Sequence, residues 1–529
     1  VIFDEVHYID DVDRGTVWEQ TMIMLPKHIP FVMLSATIGQ KEIFAKWIET
    51  IKEKKVEICH NDERVVPLIF YEYFNIPNKY VENITDKKKK HMFINKLKNN
   101  LNIIKNKKEL NYYHLNDTKK CINELNKDKF KVHQKYVINE CLEYLKQNDM
   151  FPALMFIFSR KQVEFIAKQI TTPLFLENEK DYMIEPIFRQ MIVRKIDNWK
   201  EYIELPEYEL YLNLLEKGIG IHHAGMLPLF REIMEFLYEE KNIKILIATE
   251  TFAIGLNMPT RTVLFNSLYK HDGKQLRLLK SHEFIQMAGR AGRRNIDKIG
   301  HVILLSNNYV PLMENEYNQL LHSSPKILKS KFRITYNLLL NFLNDYSEED
   351  FIKMIQCSLM NLDIQKQITL SNKVIKELED EIENYNKSIS HYNFNIEEFF
   401  NEYEKLKDKV TTLKNKQRKN MLRQIKEKEE NKHNMIYYKK YKNNKENIQN
   451  LIKEKETKNF AENYIRNQIK TIYSILKSNN YIDEKNKPLI DGLNASYIHE
   501  LPCLVFYDLY RNYNKFINHS DLDILCLLS

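Results

Sequence analysis

The amino-acid sequence predicts an α/β protein in its first half and a helical one in its second. Short apolar runs bounded by polar or glycine-containing stretches alternate with amphipathic segments up to Leu305, the pattern of strands and helices in parallel-sheet units. Ten of the eleven glycines fall at or before Gly300. From just after Pro325 to just before Pro488 there is neither glycine nor proline, which suits long helices and not strands joined by tight turns. At 529 residues the chain exceeds the size at which one hydrophobic core stops growing, so several domains are expected.

In order along the chain, the candidate buried strands are Val1–Phe3, Phe31–Thr37, Ala153–Phe158, Ile243–Thr249, Thr262–Asn266 and His301–Leu305. Each is a short, nearly continuous apolar run, as a strand covered on both faces requires. They group into two α/β layers. Between these, residues 80–135 are rich in Lys and Asn, include the run Lys87–Lys90, and read as a variable insertion or linker with a solvated, charged surface. In the helical half, Ile368, Ile375, Leu378, Ile382, Tyr385 and Ile389 recur at three-four spacing, as do Phe399, Tyr403, Leu406, Val410 and Leu413, and both stretches read as coiled arms. Ile465, Ile469, Ile472 and Leu476 then return the chain to a packed helical domain.

Composition narrows the function classes. Hydrophobic residues make up 43% of the chain and aromatic residues 12%, which excludes wholesale disorder. A net charge of +8 is compatible with a polyanionic partner but does not establish one over so long a chain. Cys59, Cys121, Cys141, Cys357, Cys503 and Cys526 form no C-x-x-C pair, which argues against a disulfide framework and a zinc site. A reducing, intracellular compartment is expected, with nucleus and cytoplasm not distinguished. No apolar run approaches the roughly 18 residues needed to cross a bilayer. Val1 already lies inside a strand-like run, so the natural amino terminus is expected upstream of it.

Several strand ends carry residues with chemistry. Val1-Ile2-Phe3-Asp4-Glu5-Val6-His7 places two carboxylates at a strand's carboxyl end, where an open α/β sheet meets its ligand crevice. In phosphoryl transfer an acid there holds Mg2+, directly or through water, and a neighbour orients the attacking water. Asp4 is therefore assigned to the metal, Glu5 to the water and His7 to nucleotide sensing. Ser35 and Thr37, ending the next strand, are placed to hydrogen-bond the acids and couple the two strand ends. Ser159 and Arg160 end a third strand with donors suited to a nucleic-acid phosphate. His222, His223 and Gly225 mark a turn whose glycine permits close backbone approach. A paired-histidine metal site is the rival reading there, disfavoured because adjacent histidines diverge and no Cys, Asp or Glu nearby in sequence completes a shell. Thr249 and Thr251 can meet an RNA phosphate, and Gly255 and Asn257 can face a nucleotide. Gln286, Arg290 and Arg293 stand three and four apart, which predicts one helix face carrying arginine fingers. Each of these alone has a bland alternative, a solvated strand end, a helix cap or a surface salt-bridge cluster.

Six motifs in this order resemble the motor of superfamily-two DExH-box helicases. Ser330–Leu343 narrows the resemblance to the superkiller-type, antiviral and exosome-associated RNA helicases, being similar to the first helix of the winged-helix domain that follows the motor there. Ile475–Asp483, Leu501–Tyr510 and Leu522–Ser529 are similar to that family's carboxy-terminal helical domain. The implied fold class is α/β, with two RecA-like parallel-sheet domains, the first incomplete, followed by winged-helix, coiled-coil and helical-bundle segments. The implied boundaries are residues 1–75 for the first RecA-like domain, 76–135 for the insertion, 136–310 for the second RecA-like domain and 311–362 for the winged-helix-like domain. Residues 363–460 would form reduced arch-like arms and 461–529 a truncated helical domain.

The resemblance further implies ATP and Mg2+ as cofactors, single-stranded RNA as partner, 3' to 5' translocation or unwinding, and association with an exosome or RNA-decay complex. The two α/β layers would close on ATP through Arg290 and Arg293, with RNA held by Ser159, Arg160, His223, Gly225, Thr249 and Thr251. Some features depart from the family. No G-x-x-x-x-G-K-[ST] occurs, and the one Gly-Lys pair, Gly273-Lys274, is followed by Gln275. Because that loop holds the β and γ phosphates, the expectation is an intact protein that hydrolyses ATP and a 529-residue polypeptide that hydrolyses little or none, with the loop upstream of Val1. The short Lys- and Asn-rich stretch between the arms leaves no globular arch head. Gly492-Leu493 replaces the family's Gly-Arg pair, Asn295 stands where glycine is frequent, and the chain stops at Ser529 where family members continue. A DNA-directed helicase of the same superfamily and a catalytically dead RNA-binding scaffold stay open as alternatives.

Overall fold

The apolar runs contain strands, buried in the second layer but not in the first, where Ile2 and Val32 are exposed, and the chain divides into two compact units, one discontinuous in sequence: residues 1–58 with 327–529, and residues 59–326. The computed structural model describes residues 1–11, 14–35, 38–61, 63–106, 109–175, 184–253, 260–322, 326–389, 396–412, 415–430, 432–499, 501–517 and 519–528. Among the described residues no helix is long and apolar enough to cross a membrane.

The discontinuous unit begins with β1 (Ile2–Phe3), α1 (Gly15–Met24), β2 (Val32–Met33) and α2 (Lys41–Lys52). β1 and β2 pair in parallel, Phe3 opposite Met33. The amphipathic α2 turns Phe44, Trp47, Ile48 and Ile51 onto Phe3, Val6, Ile9 and Met22, burying that stripe under the strand ends.

The continuous unit is built on one eight-stranded sheet. Its strands are β3 (Leu68–Tyr73), β4 (Leu101–Asn106), β5 (Glu109–Leu110), β6 (Ala153–Phe156), β7 (Ile219–His222), β8 (Ile245–Ala248) and β9 (Thr262–Phe265). A small hairpin, β10 (Tyr269–His271) with β11 (Leu276–Leu278), precedes the last of them, β12 (Gly300–Leu305). The order is β5-β4-β3-β12-β9-β6-β8-β7. The six strands from β3 to β7 in that order pair in parallel, while β4 and β5 join antiparallel at one edge. β6 to β9 are buried at every position, the signature of strands sandwiched between helices. The covering helices include α3 (Lys87–Leu97), α4 (Tyr112–Lys127), α5 (Gln134–Gln147), α6 (Arg160–Gln169), α7 (Pro228–Glu239), α8 (Ser281–Ala288) and α9 (Glu314–Leu321).

Three expected boundaries are corrected here. Residues 59–75 do not close the first layer: β3 pairs with β12 inside the second sheet, Phe70 opposite Val302. The Lys/Asn-rich segment is no solvated linker but an ordered edge of that sheet, since Phe93, Cys121 and Leu125 of α3 and α4 bury against Phe74 and Ile76. Its charge is partly internal: Lys96 is bonded to Glu72 in mid-strand, and Thr118 donates to the same carboxylate at 2.7 Å. Residues 311–362 are not one domain either, because Tyr317, Leu320 and Leu321 of α9 complete the core of the continuous unit.

The discontinuous unit resumes with α10 (Tyr336–Asp345), α11 (Glu348–Gln356), α12 (Leu359–Ile389), α13 (Ile396–Thr412), α14 (Asn415–Glu430), α15 (Lys432–Ser478), α16 (Ile490–Ser496) and α17 (Cys503–Asn512). α12 and α15 run antiparallel, Ser371 donating to Glu454 and Asn447 to Glu381. The stretch beginning at Phe399, expected to belong to a coiled arm, lies on α13. α13 doubles back beside α14 as a short helical hairpin, with Phe400 packed on Tyr385 and Tyr441. At the other end of the arms, Leu339, Leu340, Phe351, Ile472, Leu476 and Tyr481 form one helical core with Ala495 and Tyr507.

Candidate nucleotide and nucleic-acid sites

The parallel pairing of β1 with β2 sets the two strand ends side by side, and the main chain stitches them together where Val6 N donates to Leu34 O at 2.9 Å. Just beyond β1 the chain turns sharply. Glu5 takes a left-handed conformation, φ 54°, uncommon for a residue with a side chain, and its N–H donates to Asp4 Oδ1 at 2.9 Å. That turn aims the Glu5 carboxylate back over His7, whose Nδ1 lies 3.3 Å from Glu5 Oε2 and 3.2 Å from Ser35 Oγ. Glu5, His7 and Ser35 thus form one polar chain across the two strands. Tyr8 stacks on the His7 ring at 4.9 Å, and the Arg14 guanidinium lies 4.1 Å over Tyr8 while paired with Asp11. Sequence reasoning missed this support because nothing in the order of residues says that Arg14 folds back over Tyr8.

Asp4 stays exposed at the strand end. A single exposed carboxylate suits a cation that keeps several of its own waters, as Mg2+ does. Among the described residues no cluster of three or more His, Cys, Asp or Glu forms a cage for a more fully dehydrated ion. Thr37, expected to couple with Ser35, lies outside the described residues, as do Gly255 and Asn257.

In the other unit, β6, β8 and β7 are adjacent and parallel, so the loops at their carboxyl ends are neighbours. These ends carry Ser159 and Arg160, Thr249 and Thr251, and His223 and Gly225. Ser159 and Arg160 are exposed at the start of α6, and the hydroxyls of Thr249 and Thr251 meet at 2.9 Å. A Cβ on Gly225 would stand 3.2 Å from His223 Nδ1 and 3.4 Å from the Arg160 side chain, so any other residue would crowd both.

Both histidines are engaged within the protein, His223, the expected RNA contact, on its own loop. His223 is buried, its Nδ1 accepts from Gly225 N at 3.1 Å, and its Nε2 lies 3.3 Å from Glu164. Because Nδ1 accepts, the ring proton sits on Nε2, facing the carboxylate. Burial lowers the His223 pKa, Glu164 opposing and Arg160 adding to that shift, which keeps the ring neutral. His222 is likewise buried and bonds Glu235 at 2.6 Å. Both rings hold the loop's shape. At this edge Ser159, Arg160 and Thr251 are exposed and Thr249 is buried.

The arginine motif departs from the expected helix face. α8 ends at Ala288, so only Gln286 is helical, and the chain then turns through Gly292 with φ +88°. Arg293 binds Asp297 through two parallel bonds of 2.8 Å, and that neighbour raises its pKa. The glycines of G-R-A-G permit this turn, and their presence in the sequence was the signal against a continued helix. Arg290 stands within the turn, its carbonyl accepting from Thr260 N at 2.9 Å.

Comparison with known proteins fits this geometry. Residues 191–295, which span the β7 and β8 loops and the arginine turn, match the helicase conserved C-terminal domain. The chain is 36% identical over 391 residues to the antiviral helicase SKI2 of Saccharomyces cerevisiae, covering 65% of this chain and 29% of that protein. It is 35% identical over 384 residues to the DExH-box ATP-dependent RNA helicase DExH9 of Arabidopsis thaliana, covering 72% and 37% respectively. With the exosome RNA helicase MTR4 of Homo sapiens it shares 36% identity over 348 residues, 65% of this chain and 31% of that one. The matched part thus spans about a third of the length of these curated relatives. On these matches the chain belongs to the superkiller-type DExH-box helicases of superfamily two.

Proposed function

We propose that the chain is motor machinery of an ATP-dependent RNA helicase that moves 3' to 5' along single-stranded RNA, inside the cell, in RNA processing or decay alongside an exosome-like complex. The observation that carries this reading is the convergence of exposed Ser159 and Arg160 with the Thr249–Thr251 pair on neighbouring parallel strand ends, a donor-rich edge that grips a sugar-phosphate backbone without reading bases. RNA-directed names among the relatives support RNA over DNA. Asp4 would serve Mg2+, Glu5 would orient the attacking water, and the Glu5–His7–Ser35 chain would report nucleotide state to the β2 end. ATP with Mg2+ would supply the phosphoryl chemistry; Arg290 is the group assigned to phosphoryl charge, while Arg293 is anchored on Asp297. The hairpin of α13 and α14 takes the place of a globular arch head on reduced, coiled-coil-like arms, and α10 with α11 provides the winged-helix-like element.

The chain contains no phosphate-binding loop sequence, so we expect these 529 residues to bind single-stranded RNA and hydrolyse little or no ATP. Fluorescence anisotropy with RNA and DNA strands of one sequence, beside an RNA-stimulated phosphate-release assay, tests this. RNA bound in preference to DNA supports the assignment. Equal or tighter DNA binding would move it to a DNA-directed motor, and rapid RNA-stimulated hydrolysis would overturn the role given to the loop. The second reading is an RNA-binding scaffold without turnover. Joining a relative's phosphate-loop domain in front of Val1 separates the two, since only a motor then hydrolyses ATP.

A further inference from the structure

We propose that Arg64 is the positioning residue of the arginine turn, a clasp that fixes the peptide units on both sides of Arg290; this rests on the reading of Arg290 as the group that meets the phosphoryl charge. The turn needs such a clasp. Where α8 ends, its last carbonyls lose their helical partners. Ile285 O, Met287 O and Ala288 O are taken by the N–H groups of Gly289, Arg290 and Ala291. The next carbonyls have no further turn of helix to serve them, and Arg64 does. Its Nη2 donates to Gly289 O and, at 2.8 Å, to Ala291 O, while its Nε donates to Val66 O at 2.9 Å. The guanidinium therefore straddles Arg290, holding the residue before it and the residue after it.

The other side of the turn is held as closely. Thr260 N donates to Arg290 O at 2.9 Å and Gly292 N to Thr260 O at 2.6 Å. Next to the clasp, a Cβ on Gly292 would stand 2.5 Å from Val66 Cγ1, so the bed formed by Arg64 and Val66 fits only a glycine there. Pro67 O then accepts from Gly300 N, closing the bed onto the start of β12. With the carbonyls of residues 289, 290 and 291 all engaged, the Arg290 backbone has no freedom to swing, and its side chain leaves from a fixed Cα. A guanidinium suits this work because one rigid, planar fork reaches three acceptors, whereas an ammonium on a flexible stem offers no such preset geometry.

Hydrogen exchange on the 529-residue chain tests the clasp. In R64M, the Thr260 and Gly292 amides should exchange at least about tenfold faster, the effect of losing a single charge-assisted bond being of that order, while amides of β6 and β8 keep their wild-type rates. R64K should recover little. In R64A, guanidinium ion at non-denaturing concentration should restore slow exchange at those two amides and methylammonium should not. Unchanged exchange in R64M overturns the clasp; so does a rise spread evenly over the sheet, or full recovery by lysine, either of which marks Arg64 as an ordinary stabilising contact. None of these readouts involves ATP. A failed hydrolysis experiment leaves the clasp standing, and a failed exchange experiment leaves the motor standing.

Discussion

Arg160 is the exposed cation at the edge where three strand ends meet, and its side chain packs against the Gly225 turn. A cation held at a strand end contributes one phosphate contact whatever the base attached to it. Arg160→Ala should weaken single-stranded RNA binding about tenfold and by a similar factor for every sequence tried. It should also make the slope of log K against log salt shallower by about 0.7, the value for one phosphate contact on a single strand. Anisotropy titrations across a series of KCl concentrations measure both, and an unchanged slope would remove Arg160 from the RNA path. The placement of Arg160, Ser159 and Thr249 at neighbouring strand ends was legible in the sequence, because each closes a short apolar run and parallel strands in one sheet present their carboxyl ends together. His223 was not. Its partner Glu164 sits on α6 and reaches it only after folding, so a polar loop residue read from the sequence as a ligand is instead spent on its own loop.

At the scale of elements, the long arm is rooted on the layer that carries Asp4 and Glu5 through one carboxylate. Glu19 of α1 is fully buried, and it accepts from Leu359 N at 2.6 Å, Met360 N at 3.3 Å and Ser330 Oγ at 2.8 Å. It therefore caps the start of α12 from a different helix, its carboxyl oxygens accepting from that helix's first N–H groups. Trp47 Nε1 adds a bond of 2.8 Å to Cys357 O beside it. Burial pushes the Glu19 pKa up from 4.5 to about 7, the three donors opposing the shift. In folded protein the group thus holds a proton that the unfolded chain has released, so stability is greatest below pH 4.5 for this group and declines as pH rises from about 4.5 to about 7. The loss is on the order of 3 kcal/mol. Glu19→Gln, which cannot ionise, should flatten that part of the pH profile in urea titrations; a slope that persists in the variant would refute the assignment. The absence of glycine and proline from 326 to 487 did announce long helices. It could not announce which helix pairs with which, because three-four spacing specifies a buried stripe and not its partner. α13 and α14 accordingly folded on each other where an arm was expected.

For the whole molecule, the two units carry separate cores: every apolar cluster among the described residues falls within residues 59–326 or within 1–58 and 327–529. The boundary at residue 58 was not read from the sequence, where Leu68–Tyr73 is not among the candidate strands; Glu72 interrupts its apolar run. Its burial is possible because Lys96 and Thr118 meet it from α3 and α4, the segment whose lysines suggested a solvated surface. Removing one partner of such a pair leaves an uncompensated buried charge and costs about 3–5 kcal/mol, whereas replacing both by apolar groups is close to neutral. Lys96→Met should therefore lower the melting temperature of the continuous unit by about 10 °C, and Lys96→Met with Glu72→Met should recover most of it. Separate cores predict that calorimetry resolves two transitions. Lys96→Met should move one of them, and Glu19→Gln at pH 7 should move the other, because each side chain belongs to a different core. A single transition displaced as a whole by either substitution would mean that the units unfold as one, and the division into two independently stabilised halves of the chain would fall.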